Sequence, residues 1–168
     1  MNEFNISYQD YPPCPTPEPQ PGAGISDTPG AFAARFWERV PMPRPNPRIA
    51  PGWAIVGKMS YLETNGVTTM THNSDSPFGP LVIVATGRYY VEWGDGQSSG
   101  PHSSEGRPWP DGQIKHDYQW AGAYDVVVTQ RWTATWSLGG QSGILRELRT
   151  TGRIEDFPAR ELQAVVRS

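Results

Sequence analysis

The chain has few of the residues that form covalent cross-links, metal sites or catalytic sets. Among its 168 residues Cys14 is the single cysteine, so neither an intrachain disulfide nor a cysteine-based metal site can form. Only three histidines are present, without HExxH or His-x-His spacing. No Walker-type loop occurs, and the acidic pair Glu155-Asp156 is adjacent rather than spaced across a cleft. We therefore predict no catalytic residues and a function other than that of an enzyme.

Charge and long apolar runs are also scarce. Charged residues make up 18% of the chain and the net charge is −3, with basic residues scattered along the sequence. No broad basic field is available for nucleic acid or an anionic membrane, so we expect no nucleic-acid partner. The longest apolar runs, such as residues 81–85, are far shorter than the roughly 18–20 residues of a membrane span. No signal peptide is visible, so we expect a cytosolic chain or a piece whose export signal is processed or left out.

Proline and glycine are abundant, with 18 of each, which is typical of many turns and short strands. Between Pro12 and Pro21, proline alternates with polar residues, a pattern that favours polyproline II. We predict that residues 1–28 form a Pro-rich extended or disordered tail. Such a tail serves as a stiff spacer or as a partner-binding motif.

A short helix is predicted at residues 29–40. Asp27 or Thr28 can cap its first turn, where Pro29 is also tolerated. Apolar side chains recur at four-residue spacing along one face, at Phe32, Phe36 and Val40. Because an isolated helix of this length is marginal in water, it must pack on the following domain or on a partner. Residues 41–52 are rich in proline and are predicted to form a second stiff linker.

From Trp53 onward the periodicity changes to that of β-strands. Candidate strands cover residues 53–63, 67–73, 81–85, 88–93, 114–118, 124–138, 144–152 and 160–166. Turn signals separate them, including Gly139-Gly140 and Phe157-Pro158. Short strands with turns at this spacing indicate an all-β sandwich over residues 53–168.

The strand over residues 124–138 has the clearest alternation. Its apolar positions share one face: Tyr124, Val126, Val128, Trp132, Ala134 and Trp136. Gln130 is the exception on that face, and Val127 is the exception on the polar one. Together with the strand over residues 144–152, it is predicted to form an extended C-terminal hairpin.

A group of motifs lies in the middle of the chain. An aromatic strand ends at Trp93-Gly94-Asp95-Gly96, and His116-Asp117-Tyr118 and Gly122-Ala123-Tyr124 follow later. This order resembles the PKD domain, an immunoglobulin-like β-sandwich found mostly on extracellular proteins. The resemblance covers residues 89–129. It implies a non-catalytic module of a secreted or cell-surface protein that mediates protein interaction or acts as a spacer. It also implies structural roles for the motif residues Trp93, Gly94, Asp95, Gly96, His116, Tyr118, Gly122 and Tyr124.

Asp95 has two interpretations. Asp-Gly after a strand is a strong turn signal, so the carboxylate can bond backbone N–H groups of its own turn. Alternatively Asp95 binds calcium, because hard cations favour carboxylates on loops, although the acid spacing of an EF-hand is absent. His116 and Tyr118 lie two residues apart, so we expect both to point toward the sheet interface. Tyr118 is expected to hydrogen-bond backbone, as corner tyrosines do in related sandwiches.

Tryptophans are the candidate ligand-binding residues. Trp109 lies between two prolines in a long loop, where it forms a rigid platform for a sugar or a partner's proline, or folds back over the sandwich end. The surplus of aromatics suggests an alternative function, carbohydrate binding through Trp109, Trp120, Trp132 and Trp136. A third is a structural subunit whose arm, residues 1–48, wraps a neighbouring chain. The expected partner is therefore a protein or a surface glycan.

Overall fold

The computed structural model describes residues 28–163, which are mostly β-structure with one short helix. The all-β class predicted from the sequence is confirmed. In chain order the elements are α1 (Pro29–Arg39), β1 (Arg48–Ile49), β2 (Ala54–Ile55), β3 (Met59–Glu63), β4 (Thr69–Ser76), β5 (Gly79–Glu92), β6 (Ser98–His102), β7 (Lys115–Asp117), β8 (Gly122–Leu138) and β9 (Gln141–Arg160).

The strands form a large and a small sheet. The large sheet has the order β2-β9-β8-β5-β4, with β6 also paired to β5, and it curls into a half-barrel. Its neighbours are antiparallel except for β2, which runs parallel to β9. The small sheet has the order β1-β3-β7 and is antiparallel throughout.

Strands β5 and β9 are longer than predicted. β5 joins two strands that the sequence analysis separated, and β9 continues through Phe157-Pro158, where a turn was expected. The turn prediction is wrong because the Phe157 side chain is buried in the core and Pro158 lies in register with Ala123 of β8. The strand predicted at 160–166 is absent from residues 161–163, and its last part lies outside the described residues.

One face of β8 supplies two separate hydrophobic cores. Val126 and Val128 pack in the core shared with the small sheet, beside Leu62 of β3. Farther along the same face, Trp132 and Leu138 pack in a second core beneath α1. Side chains alternate along a strand, so this single face runs continuously between the two cores.

Gln130 lies on that face between the two cores, where it was the polar exception in the sequence. Its side chain is fully buried, and Nε2 donates a 2.6 Å hydrogen bond to the carbonyl of Val67. The buried Tyr89 hydroxyl donates to the same carbonyl at 3.1 Å. These two bonds join the loop before β4 to the centre of the sheet, while Oε1 of Gln130 is buried without a hydrogen-bond partner among the described residues.

The predicted apolar stripe of helix α1 is partly buried against the sheet, and the fully buried residues of the helix are Ala33 and Trp37. The Thr28 hydroxyl accepts from the N–H of Ala31 at 3.2 Å, and Pro29 occupies the first turn. Trp37 is fully buried in the second core, and its Nε1 donates a 2.9 Å hydrogen bond to the carbonyl of Arg146 in β9. The helix therefore belongs to the same folded unit as the sheet. Within residues 28–163, no helix is long and apolar enough to cross a membrane.

The segment after the helix differs from the predicted linker of residues 41–52. The Thr150 hydroxyl donates to the Pro43 carbonyl at 2.8 Å, and the Asn46 N–H donates to the Thr64 carbonyl at 2.9 Å. Ile49 of β1 is buried in the core. An extended proline-rich backbone leaves its carbonyls free of internal hydrogen bonds, so neighbouring strands can bond them and hold the segment on the domain.

Replacing Trp37 with alanine should destabilise the protein by about 3–5 kcal/mol, because it leaves a cavity beneath the helix and removes a hydrogen bond. Urea unfolding followed by circular dichroism measures this change. The control, Arg39→Ala, alters an exposed position of the same helix and should shift the free energy of unfolding by about 0.5 kcal/mol or less. Equal stabilities for the two variants would contradict this packing of α1.

Candidate ligand-binding site

The structure brings together the motif residues at one end of the two sheets. Trp93, the residue after β5, stacks on His116 of β7 with ring centroids 4.7 Å apart. His116 in turn meets Tyr118 edge-on at 4.8 Å. Gly94 and Gly96 have φ values of 86° and 88°, and a Cβ on Gly94 would lie 2.7 Å from the carbonyl oxygen of Asp125. The turn therefore requires glycine at Gly94.

Both carboxylate oxygens of Asp95 have protein partners. Oδ1 accepts from the N–H of Gln97 at 3.0 Å, within the turn, and Oδ2 lies 2.7 Å from Nε2 of His116. The two side chains are nearly enclosed, with exposed fractions of 6% for His116 and 14% for Asp95. Among residues 28–163, no group of three His, Cys, Asp or Glu side chains is placed to hold a metal ion. The arrangement ties the turn after β5 to β7.

Tyr118 forms the inner wall of this cluster. Its hydroxyl donates to the carbonyl of Trp93 at 3.1 Å, a backbone bond of the kind that the sequence led us to expect. Burial, with the nearby Asp95 carboxylate and Tyr124, raises the pKa of Tyr118 well above its ordinary value. Tyr124 stacks on Tyr118 at 4.5 Å and donates to the carbonyl of Trp120 at 2.9 Å. Gly122 begins β8 beside them.

Ser99 and His102 of β6 form a contact that the sequence analysis missed. Trp93 Nε1 donates to Ser99 Oγ at 3.2 Å, and that oxygen lies 2.9 Å from His102 Nε2. The sequence Gly-Gln-Ser-Ser-Gly at residues 96–100 matches the spacing of a nucleophile elbow with Ser98 at its centre, but it lies in a turn and a strand rather than before a helix, and the serine beside His102 is Ser99. In the described chain, no carboxylate contacts His102, and burial lowers the pKa of this histidine. The pair links β6 to Trp93.

Two of the four candidate tryptophans cannot contact a ligand as predicted. Trp132 is fully buried and Trp136 is 9% exposed. Both lie on the face of β8 that α1 covers, so they serve the second core instead. Trp109 and Trp120 are 75% and 76% exposed. Trp109 therefore does not fold back over the end of the sheets.

Trp109 lies at the edge of a groove that the sequence analysis did not identify. The groove has a volume of about 350 Å³. Its lining residues are mostly aromatic, aliphatic or proline, and include Pro51, Trp53, Ile55, Met59, Tyr61, Pro108 and Trp109. Met59 and Tyr61 lie two residues apart on β3, on the opposite side from the buried Ser60 and Leu62. The alternation of side chains along β3 was the sequence signal from which these two groove residues could have been predicted.

The loop between β6 and β7 is fixed where it carries Trp109. The backbone N–H and hydroxyl of Thr64, which is buried at the end of β3, both donate to the carbonyl of Glu105 at 2.8 Å. On the other side of Trp109, a Cβ on Gly112 would overlap the ring of Tyr61. Both ends of the loop therefore press against β3, and its exposed tryptophan has a defined place beside Tyr61.

The groove is apolar with a cationic side. Lys58 lines it, and the guanidinium carbon of Arg160 lies 5.9 Å from the centre of the Trp53 ring. No carboxylate is among its lining residues in the described chain. Such a surface can bury a flat apolar or proline-containing ligand and favours one with negative charge nearby.

Comparisons of this chain with protein-family models, with curated proteins and with solved structures find no match.

Asp95→Ala should destabilise the protein by about 1–3 kcal/mol, because the Gln97 N–H and the enclosed His116 ring lose their partner. The matched control, Asp111→Ala, removes an exposed carboxylate from the following loop and should change the free energy of unfolding by about 0.5 kcal/mol or less. Chemical denaturation of both variants at neutral pH measures the difference. A stability of Asp95→Ala equal to wild type would refute the role of this carboxylate as a link between turn and strand.

The lowered pKa of His102 predicts the direction in which the free energy of unfolding changes with pH. Below the unfolded value of about 6.5, the unfolded chain binds a proton more readily than the folded protein does. His102 therefore contributes a fall in the free energy of unfolding as the pH drops from about 6.5 toward its folded pKa. In His102→Gln this contribution is lost, and the free energy of unfolding should depend less steeply on pH just below about pH 6.5. If the free energy of unfolding of His102→Gln depends on pH as steeply as that of the wild type, the predicted contribution of His102 is wrong.

Proposed function

We propose that this chain is a non-catalytic, extracellular or cell-surface binding module of the PKD-like, immunoglobulin-like sandwich class. Its site is the groove between Trp53, Tyr61 and Trp109, and its ligand is an extended protein segment that contains proline. The observation that carries the proposal is the 75% exposure of Trp109 on a loop anchored at both ends. A large aromatic side chain held in water beside other aromatics is typical of a recognition surface.

The PKD-like class is supported by the cluster around Asp95. Residues far apart in sequence, Trp93, His116 and Tyr118, form the hydrogen-bonded and stacked arrangement expected of a structural motif. The small sheet also shares a core with part of the large one, as opposed sheets do in a sandwich. The location outside the cell follows from the resemblance alone.

A non-catalytic role is supported by the burial and the hydrogen bonding of the polar side chains. His116 and Asp95 are bonded to each other and have exposed side-chain fractions of 6% and 14%, so little of either side chain is open to a substrate. Ser99 accepts from Trp93, and His102 has no carboxylate to orient it among the described residues. In a site with a catalytic nucleophile and a base, a third group usually orients the base.

A protein ligand fits the groove better than a sugar does. Among the described lining residues, the side chains with polar atoms are those of Lys58, Ser60, Tyr61 and the two tryptophans, and no carboxylate, amide or histidine is present. Ser60 is 7% exposed, which leaves few groups for the hydroxyls of a saccharide. Grooves lined by aromatics accept proline-rich segments, whose preformed polyproline II conformation costs little entropy to bind. Carbohydrate binding is the second candidate, because the equally exposed Trp120 adds another stacking platform.

Decaproline should bind the full chain, and Trp109→Ala should weaken that binding about tenfold or more, since central aromatic anchors carry most of the energy of such sites. Isothermal titration calorimetry measures the affinity. Trp120→Ala is the control, because it removes an equally exposed tryptophan outside the groove lining and should leave decaproline binding unchanged.

Soluble cellohexaose and chitohexaose form the second arm of this experiment. Binding of a hexasaccharide that depends on Trp109, without binding of decaproline, would replace the protein ligand with a carbohydrate. Binding of neither probe would contradict the groove as a site for proline or sugar. Equal losses in Trp109→Ala and Trp120→Ala would show that the groove is not the site.

A further inference from the structure

A row of three arginines crosses the large sheet on the face opposite the two cores. The strand register pairs Arg88 of β5 with Arg131 of β8, and Arg131 with Arg149 of β9. Neighbouring strands lie about 4.8 Å apart, so the three side chains leave adjacent points of one surface. Arg88 and Arg149 are exposed and Arg131 is half-buried.

Little within the described chain neutralises this row. Like charges placed directly opposite each other on a sheet are unfavourable, and a nearby carboxylate is the usual relief. Among residues 28–163, no carboxylate pairs with Arg88 or Arg131. Arg149 is paired through its Nε to Glu147 at 2.6 Å. Two residues paired in the strand register, Arg88 and Arg131, therefore lack an anionic partner among the described residues.

The central arginine is held in place by an aromatic ring. The guanidinium carbon of Arg131 lies 4.1 Å from the centre of the Tyr90 ring, a cation–π contact on the same face. Its Nε is enclosed and makes no hydrogen bond to the described residues. The stacking on Tyr90 therefore positions the side chain, and a ligand would not have to order it.

Hydroxyl groups lie beside the arginine row. The next pairs along the same face are Thr86 with Thr133 on one side and Thr129 with Thr151 on the other. Thr133 donates weakly to the Thr86 carbonyl at 3.4 Å. No hydrogen bond of the Thr129 or Thr151 side chain occurs within the described part. Guanidinium and hydroxyl donors on one surface match the acceptors of a tetrahedral oxyanion.

We propose that this face binds sulfate groups of a linear anionic polysaccharide, with Arg88 and Arg131 as the principal donors and Arg149 beside them. The chemistry recognised is a tetrahedral oxyanion. A sulfated glycan fits better than single-stranded nucleic acid, because binding of the latter uses exposed rings for base stacking. Tyr90, the aromatic residue in this region, lies under Arg131. The site is separate from the groove at Trp109 and does not depend on its function.

Immobilised heparin and the same polymer after desulfation test the proposal on the full chain at low ionic strength. Heparin should bind, and the desulfated polymer should not. Arg88→Gln and Arg131→Gln should each weaken binding about tenfold, the effect of one lost charge-assisted hydrogen bond. Arg146→Gln is the matched control, because it removes the same charge from an exposed arginine that pairs with Glu38 at 3.5 Å. It should change the affinity less than about twofold, as expected for a screened surface charge.

Thermal unfolding of each variant separates loss of the site from loss of the fold. Arg88 is exposed and has no partner among the described residues, so its substitution should leave the melting temperature unchanged. Inorganic sulfate titrated against the labelled protein should shift the amide signals of β5 and β8, which supports an oxyanion site. Absence of heparin binding, equal weakening in Arg146→Gln, or equally tight binding of a single-stranded oligonucleotide of matched charge would each overturn the proposal.

Discussion

The continuous buried face of β8 is the constraint on which the rest of the structure depends. From Val126 to Leu138 every second side chain points to the same side of the large sheet and is buried. The small sheet covers one half of that face, and α1 covers the other. A shift of one residue in the pairing of β8 would turn both sets of side chains toward water. The register of the hairpin, the docking of the helix and the placement of the small sheet therefore stabilise one another.

The same constraint separates structural residues from those free to bind. Trp132 is buried in the core beneath α1, and His116 is held by its contacts with Trp93 and Asp95. What remains accessible is the end of the molecule around Trp109 and the outer face of the large sheet. Both surfaces rest on rigid elements, since the loop of Trp109 is bonded to Thr64 and Arg131 stacks on Tyr90. Preorganised side chains lose less entropy on binding, which favours recognition at these two places.

Local signals predicted much of the fold because they depend on neighbours in sequence. The capping hydroxyl of Thr28 needs only the first turn of the helix, and the alternation of β8 needs only its own residues. The unbroken course of β9 was missed because Phe157-Pro158 is a turn signal until the burial of Phe157 outweighs it. The segment around Ile49 was predicted to be a linker because that prediction also used only the local sequence. Its pairing with β3 is a contact between residues distant in sequence, and no periodicity records it.

The sequence by itself determined the β class, the amphipathic helix and the motif of Asp95, His116 and Tyr118, because composition, spacing and turn chemistry act locally. Only the tertiary structure decided which tryptophans are exposed to solvent. Trp132 and Trp109 are chemically alike, and their exposure depends on whether α1 or open solvent lies opposite. The same holds for charge. The arginines are scattered along the chain, yet antiparallel pairing sets Arg88, Arg131 and Arg149 side by side, because strand register brings together residues that lie far apart in sequence.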